Sequence, residues 1–163
     1  MFANEKELVS KLVLDLQERF GTHYIVRELR GGNNIADIVY ATDINRSNIV
    51  FDEYFNAYYY FNGIYNHKKI SIEDVKISDW KAGLEQAARY KQYANEVYVA
   101  LSSEYVSKVD KQQFKDLNIG LMSVSSGKLK ISIRARKQPV EKLDIQYYIA
   151  DRFLKQLKLS ETL

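Results

Sequence analysis

The chain has 163 residues, 46% of them hydrophobic, with one proline and 7 glycines, which predicts a single globular domain over residues 1–163 with a substantial core. The absence of cysteine excludes disulfides, thiolate metal sites and a cysteine nucleophile, and a histidine content of only His23 and His67 argues against multi-histidine metal chemistry. The net charge of +3 indicates no polybasic arm, and the sequence has neither a signal-peptide profile nor a long apolar span, so we expect a cytoplasmic protein without membrane contact.

The N-terminal region predicts a helix followed by a β-hairpin. Asn4 is a suitable cap for a helix over residues 4–20, whose apolar side chains recur at helical spacing up to Gly21. Residues 23–30 and 35–42 predict two strands joined by a glycine- and asparagine-rich turn. Asp37 falls inside the second strand, which is otherwise mostly apolar.

Residues 43–68 form an insertion rich in tyrosine and phenylalanine. Its aromatic residues, between 51 and 65, suit a helix face in one half and a hairpin around Asn62-Gly63 in the other. Such a segment can cover a cleft, contact nucleic acid or mediate dimerisation. A local core or dimer interface is favoured over stacking on bases.

The second half alternates strands and helices. Residues 70–77 predict a strand that carries Asp74 and Lys76 near its end, and Ser78 or Asp79 then caps a helix running to about Ala94. The other predicted elements are strands at 97–101, 119–124 and 129–133, a helix at 103–116 and a closing amphipathic helix at about 140–158, after Pro139.

This order of elements, with one aspartate on the second strand and an Asp-x-Lys on the third, resembles the PD-(D/E)xK, or restriction-endonuclease-like, nucleases. The matching residues are Asp37, then Asp74-Val75-Lys76, then Trp80 and Gln86-Ala87-Ala88-Arg89-Tyr90, and the likeness covers roughly residues 5–133. The resemblance implies an α/β fold with a restriction-endonuclease-like core. We therefore expect a central mixed β-sheet flanked by helices, in the order αβββαβ, with the tyrosine-rich insertion before the third strand and a C-terminal helix.

The chemistry of phosphodiester hydrolysis accounts for these residue types. A carboxylate-held Mg²⁺ can stabilise charge on the attacking and leaving oxygens, and two carboxylates on neighbouring strands form such a cradle. Because side chains alternate along a strand, Asp74 and Lys76 project from the same face. One can therefore bind metal while the other reaches the attacking water or the phosphate.

The resemblance also implies individual roles. Asp37 and Asp74 would be ligands of Mg²⁺ or Mn²⁺, with the backbone carbonyl of Val75 as a further ligand. Lys76 would orient or deprotonate the water, and Gln86 would help to position the site from the following helix.

The first helix offers a further acidic side chain. Glu5 lies on the same helical face as Leu8 and Leu12 and matches a glutamate that many members of the family use beside the metal. Glu7 points with another face and ranks second. A glutamate in a first helical turn is also favoured by the helix dipole alone.

The sequence departs from the family pattern in three places. Ala36 stands where the eponymous proline would precede Asp37, and Asp74 stands where glutamate is more usual. Glu73, next to Asp74, would become the ligand only if a bulge turned it inward. The insertion between Asp37 and Asp74 is unusually long.

These observations predict a metal-dependent hydrolase, an endo- or exodeoxyribonuclease that cleaves phosphodiester bonds in DNA. RNA is a weaker alternative substrate. The main alternative is a non-catalytic nucleic-acid-binding or protein-interaction module on the same scaffold, as part of a DNA-processing or defence assembly. Nucleic acid is the expected partner in either case, and the protein would act as a homodimer or as a subunit of a larger assembly.

Overall fold

A computed structural model describes residues 1–21, 24–31, 34–42, 49–51, 57–59, 69–138, 152–153 and 155–156. The helices and strands are, in chain order, α1 (Glu5–Phe20), β1 (Ile25–Gly31), β2 (Asn34–Thr42), β3 (Ile49–Phe51), β4 (Ala57–Tyr59), β5 (Lys69–Lys76), α2 (Trp80–Tyr90), β6 (Glu96–Ser102), a 3₁₀ helix (Ser103–Lys108), α3 (Lys111–Leu117), β7 (Gly120–Val124) and β8 (Lys130–Ile133).

The main sheet has six strands in the order β1-β2-β5-β6-β7-β8. The β5–β6 and β6–β7 pairs are parallel, and the other neighbouring pairs are antiparallel. The expected mixed sheet flanked by helices is confirmed. Leaving out β3 and β4, which stand between β2 and β5, the elements from α1 to β6 have the order αβββαβ. Because β5, β6 and β7 are parallel, their carboxyl ends meet at one edge of the sheet.

Helices cover both faces of this sheet. Leucines of α1 pack on one face, in what we call the α1-side core: Leu8, Leu12, Leu16, Ile38, Tyr40, Val75, Tyr98, Ala100, Met122 and Leu129. Side chains of α2 and α3 pack on the other face, in the α2-side core: Val26, Leu29, Val39, Ile72, Leu84, Ala87, Val99, Leu101, Phe114, Leu121 and Phe153. Side-chain alternation along each strand divides the apolar residues between the two cores.

The limits of α1 follow from its capping residues. The Asn4 side chain accepts a hydrogen bond from the Glu7 backbone N–H at 2.9 Å, and Gly21 adopts a left-handed conformation with φ of 60°. Both are standard devices for satisfying the free backbone groups of a helix end. The predicted helix at 4–20 is confirmed.

Two predicted helices in the second half end or divide earlier than expected. The α2 helix stops at Tyr90 instead of near Ala94, because Tyr93 N–H turns back to the Tyr90 carbonyl at 2.9 Å and Ala94 is buried as the chain enters β6. The segment predicted as one helix over 103–116 divides at Val109, which is extended. Asp110 then caps α3 by accepting a hydrogen bond from the Gln112 backbone N–H at 3.1 Å.

The insertion is described only in part. Ile49 pairs with Tyr59 and Phe51 with Ala57, so β3 and β4 form an antiparallel pair apart from the main sheet. The predicted turn at Asn62-Gly63 lies outside the described residues. Most of the predicted closing helix does too, although 152–153 and 155–156 are helical and Phe153 is fully buried in the α2-side core. In the described ranges, no helix combines the length and apolar character needed to cross a membrane.

Candidate active site

Asp37 and Asp74 meet where β2 and β5 lie side by side. Ile38 pairs with Glu73, so continuing the register by one residue sets Asp37 opposite Asp74. The Asp37 carboxylate Oδ2 accepts a hydrogen bond from the Val75 backbone N–H at 2.7 Å, and the carboxyl groups of Asp37 and Asp74 lie close enough for the charge of Asp37 to raise the pKa of Asp74. The structure therefore brings together the two aspartates that lie 37 positions apart in the sequence.

The environment of Asp74 disfavours its negative charge. Burial is the main cause, and the nearby charge of Asp37 adds to it; together they raise the pKa of Asp74 to about 8. The charge of Lys76 acts in the opposite direction and that of Glu5 in the same direction. A neutral Asp74 can share a proton with Asp37 at neutral pH, and a cation between the two carboxyl groups would remove their repulsion.

Helix α2 covers this pair closely because Gly83 has no side chain. A Cβ atom at Gly83 would lie 2.9 Å from Val99 Cγ1, 3.2 Å from Asp74 Oδ2 and 3.3 Å from Lys76 Cγ. With its amide nitrogen facing the sheet, Gln86 donates to Asp74 Oδ1 at 2.9 Å and Oδ2 at 3.3 Å. The reverse orientation would set two oxygens against each other, so the amide is assigned this way.

Lys76 and Glu5 complete the set predicted from sequence. Lys76 is two residues from Asp74 on the same strand face and is partly buried beside α2. Glu5 is exposed at the start of α1, and no hydrogen bond joins it to Asp37 or Asp74 among the described residues. Its charge still reaches Asp74, so Glu5 lies at the margin of the site.

Glu73 lies on the other face of the sheet and does not take part in the pair. The β5 register is continuous from Ser71 to Lys76 against β6, so no bulge turns Glu73 inward. Its side chain is fully buried, where Oε1 accepts a hydrogen bond from the Tyr40 hydroxyl at 3.1 Å and Oε2 has no partner among the described residues. Burial raises the pKa of Glu73 well above its ordinary value. Asp74, not Glu73, is therefore the acid that faces Asp37.

Tyr90 is a neighbour of the site that ends the matched run of α2 and to which sequence reasoning gave no role. Its hydroxyl donates to the Ile35 carbonyl at 2.6 Å and ties the end of α2 to the start of β2. Burial, then the charges of Asp74 and Asp37, raise the pKa of Tyr90 to about 12. Its position four residues after Gln86, one helical turn along the same face, is a signal that could have identified it.

A second unforeseen feature is the backbone of β1 opposite Asp37. Glu28 has φ of 53°, a left-handed conformation that non-glycine residues seldom adopt, between the pairs Arg27–Ile38 and Leu29–Ala36. Val26 and Leu29 consequently both pack in the α2-side core, which regular alternation would not allow. Such strain is concentrated at functional sites in many proteins.

The acidic groups do not form a three-residue metal cluster in the described part of the chain, where no set of three or more histidine or acidic side chains is arranged to hold an ion. The donors available at the site are the carboxylates of Asp37 and Asp74 and neighbouring main-chain carbonyls. These are hard oxygen donors, which suit Mg²⁺ or Mn²⁺ with water completing the coordination sphere.

Comparisons with known proteins inform the fold and leave the activity open. No family model matches the chain, and no curated protein does either. Its structure is similar to that of a protein of unknown function from Silicibacter pomeroyi, with a TM-score of 0.61 and 12% sequence identity over 98% of this chain and 89% of that one. At that identity the likeness shows a shared fold.

Proposed function

We propose that this protein is a metal-dependent nuclease with a restriction-endonuclease-like core, and that it hydrolyses phosphodiester bonds in DNA. The observation that carries the proposal is the facing pair of Asp37 and Asp74 on neighbouring strands, with Lys76 on the same face and Gln86 bonded to Asp74. The pair lies near the carboxyl end of β5, the position that the PD-(D/E)xK pattern assigns to its acids. The site, more than the fold, supports the activity.

The residues present fit a divalent cation. Asp37 and Asp74 set two oxygen donors in contact at a largely buried position, and their repulsion favours either a shared proton or a bound cation. Asp37, Asp74 and the Val75 carbonyl would hold the ion. When bound, Mg²⁺ or Mn²⁺ would supply Lewis-acid stabilisation of negative charge on the phosphate.

The remaining roles belong to side chains of this chain. The Val75 N–H fixes the rotamer of Asp37, and Gln86 fixes that of Asp74, so both carboxylates are oriented before any ligand binds. The ammonium group of Lys76, two residues from Asp74, orients the attacking water and takes part in moving its proton. Tyr90 holds α2 against β2 through Ile35 and so keeps Gln86 in place.

The test is cleavage of a panel of single-stranded, duplex and branched DNA, and of RNA, with Mg²⁺, with Mn²⁺ and with EDTA. Lys76→Ala should abolish metal-dependent cleavage while preserving the fold and the thermal shift on adding metal. Lys115→Ala removes an exposed lysine of α3 and is the matched control, which should cut like the parent.

Two results would contradict the proposed nuclease activity. One is cleavage by Lys76→Ala at the parent's rate, which would show that a contaminant or another site does the chemistry. The other is the absence of cleavage on every substrate together with no thermal shift on adding metal. The second result would instead favour a non-catalytic interaction module on this scaffold.

A further inference from the structure

A cleft lies between the 3₁₀ helix and the strands β7 and β8. It has a volume of about 460 Å³. Its described lining is mainly hydroxyl and ammonium groups, with hydroxyls from Ser103, Ser107 and Ser132 and ammonium groups from Lys111, Lys128 and Lys130. Lysine and serine side chains are common partners of nucleic-acid phosphates.

The described lining of this cleft has a net positive charge. Lys128 also borders a neighbouring pocket that Asp15 and Glu18 line. Lys111, Lys128 and Lys130 are all exposed, and within the described ranges none of them forms an ion pair. No aspartate or glutamate is among the described residues that line the cleft. A cleft of this kind concentrates anions.

The cleft continues the row of residues that begins at Lys76. In the sheet register Lys76 pairs with Leu101, Leu101 with Ser123, and Ser123 with Lys130. Ser123 also lines the cleft. At about 4.8 Å between neighbouring strands, the backbones of Lys76 and Lys130 are about 14 Å apart.

The cleft and the candidate site also open on the same face of the sheet. Lys76 follows Val75, which belongs to the α1-side core, so Lys76 points to the α2 side. Lys130 lies between Leu129 and Ile131, which pack on the α1 side, so it also points to the α2 side. Both lysines therefore lie on the α2 side of the sheet, near the carboxyl edge of β5, β6 and β7.

We propose that this cleft binds the sugar–phosphate backbone of the nucleic-acid substrate a few nucleotides away from the phosphate that is cut. The proposal rests on the proposed function and names how its substrate is held. About 14 Å spans a few phosphates along one strand of a duplex, in which each nucleotide rises by about 3.4 Å along the axis. Contacts to phosphate alone carry no base information, so this part of the binding is independent of sequence.

The test compares two pairs of substitutions that remove the same charge from the same two parts of the chain. The cleft pair is Lys111→Gln with Lys130→Gln. The control pair is Lys115→Gln with Lys137→Gln. Lys137 lies towards the opposite edge of the sheet, because the N–H of the next residue, Gln138, bonds to the Asn95 carbonyl just before β6. Each pair takes one exposed lysine from α3 and one from β8 or the segment after it.

Binding is measured without hydrolysis, by fluorescence anisotropy of labelled single-stranded and duplex DNA in EDTA over a series of salt concentrations. Near 0.1 M salt, the cleft pair should weaken binding about tenfold or more for each lysine. The negative slope of log K against log salt should become shallower by about two. The control pair should leave the affinity and the salt slope close to those of the parent. A mononucleotide and inorganic phosphate, used as competitors, should displace DNA weakly, since each occupies only part of the cleft.

Equal losses from the two pairs, or a larger loss from the control pair, would overturn the proposal, as would strong competition by inorganic phosphate alone. Thermal melts of both pairs establish that the fold is intact. The proposed function fails separately. DNA binding that depends on the cleft, without metal-dependent cleavage, would overturn the proposed nuclease activity and support DNA binding by the cleft. Metal-dependent cleavage by the parent, together with unchanged DNA binding by the cleft pair, would overturn only the proposal that the cleft binds DNA.

Discussion

The close approach of α2 to the sheet makes Gly83→Ala a direct test of the site geometry. Helix propensity alone predicts that alanine stabilises a helix interior by about 1 kcal/mol relative to glycine. The added Cβ, however, would lie 2.9 Å from Val99 Cγ1, about 0.6 Å inside the shortest comfortable carbon–carbon contact. Val99 is fully buried and β-branched, so it has little freedom to move aside.

Relief of this contact requires α2 to retreat from the sheet by about 0.6 Å, which would lengthen the Gln86–Asp74 contact from 2.9 Å to about 3.5 Å. Overpacking of this kind costs about 1–3 kcal/mol, so the net effect is a loss of about 1 kcal/mol. For a chain of this size, the melting temperature should fall by about 2–4 °C. Metal-dependent cleavage should fall as well, because Asp74 loses its positioning partner.

The assay is thermal unfolding followed by circular dichroism, with Gly127→Ala as control. A Cβ at Gly127 would meet only Ser125 Oγ at 3.6 Å, an ordinary contact, so this variant should melt with the parent or slightly above it. A melting temperature for Gly83→Ala above that of the parent would refute the reasoning. That result would mean that α2 does not lie as close to Asp74 as the structure places it.

Two further predictions concern the buried acids. In EDTA, Asp74→Asn should raise the free energy of unfolding at pH 7 by up to about 4 kcal/mol, and unchanged stability would show that Asp74 carries no such penalty. The reason is that an acid whose folded pKa is raised to about 8 from 3.8 releases a proton on unfolding between these values, so stability falls as pH rises through that window. In a separate titration with metal and without EDTA, the variant should show no metal-induced thermal shift. The pKa of Glu73 is also raised above 4.5, so its effect on the pH dependence of stability has the same direction. Urea unfolding of the parent should show a free energy of unfolding that falls as pH rises above about 4.5, with Glu73 contributing up to about 1.4 kcal/mol per pH unit. Glu73→Gln should remove that part of the slope, and parallel pH profiles would contradict it.

Local signals predicted the first helix and the positions of the main-sheet strands along the chain. Asn4 and Gly21 mark the ends of α1 because capping depends on residues in direct sequence contact with the helix end. Short runs rich in apolar and β-branched residues likewise marked β2 and β5, whose buried residues divide between the two faces. These elements depend on interactions within a few residues, which a sequence pattern expresses.

Features set by contacts between distant elements were not predictable in the same way. Alternation shows that Glu73 and Asp74 point to opposite faces, but which face meets Asp37 depends on the register between β2 and β5. The proximity of Gly83 to Val99 and Asp74 depends on how α2 crosses the sheet. The extended Val109, which divides the predicted helix at 103–116, reflects the turn that brings Phe114 into the core.

The candidate site also lowers the stability of the folded state, and this supports a functional role for it. A buried Asp74 beside Asp37 disfavours the folded state whenever neither a proton nor a cation lies between the two carboxyl groups. An apolar pair at these positions would continue the neighbouring core formed by Val39, Ile72 and Val99 without that penalty. The left-handed backbone of Glu28 opposite Asp37 adds a second local cost. Two independent costs at one point of the sheet are what a stability–activity trade-off produces, and a cation bound by the two aspartates would convert the first cost into binding energy.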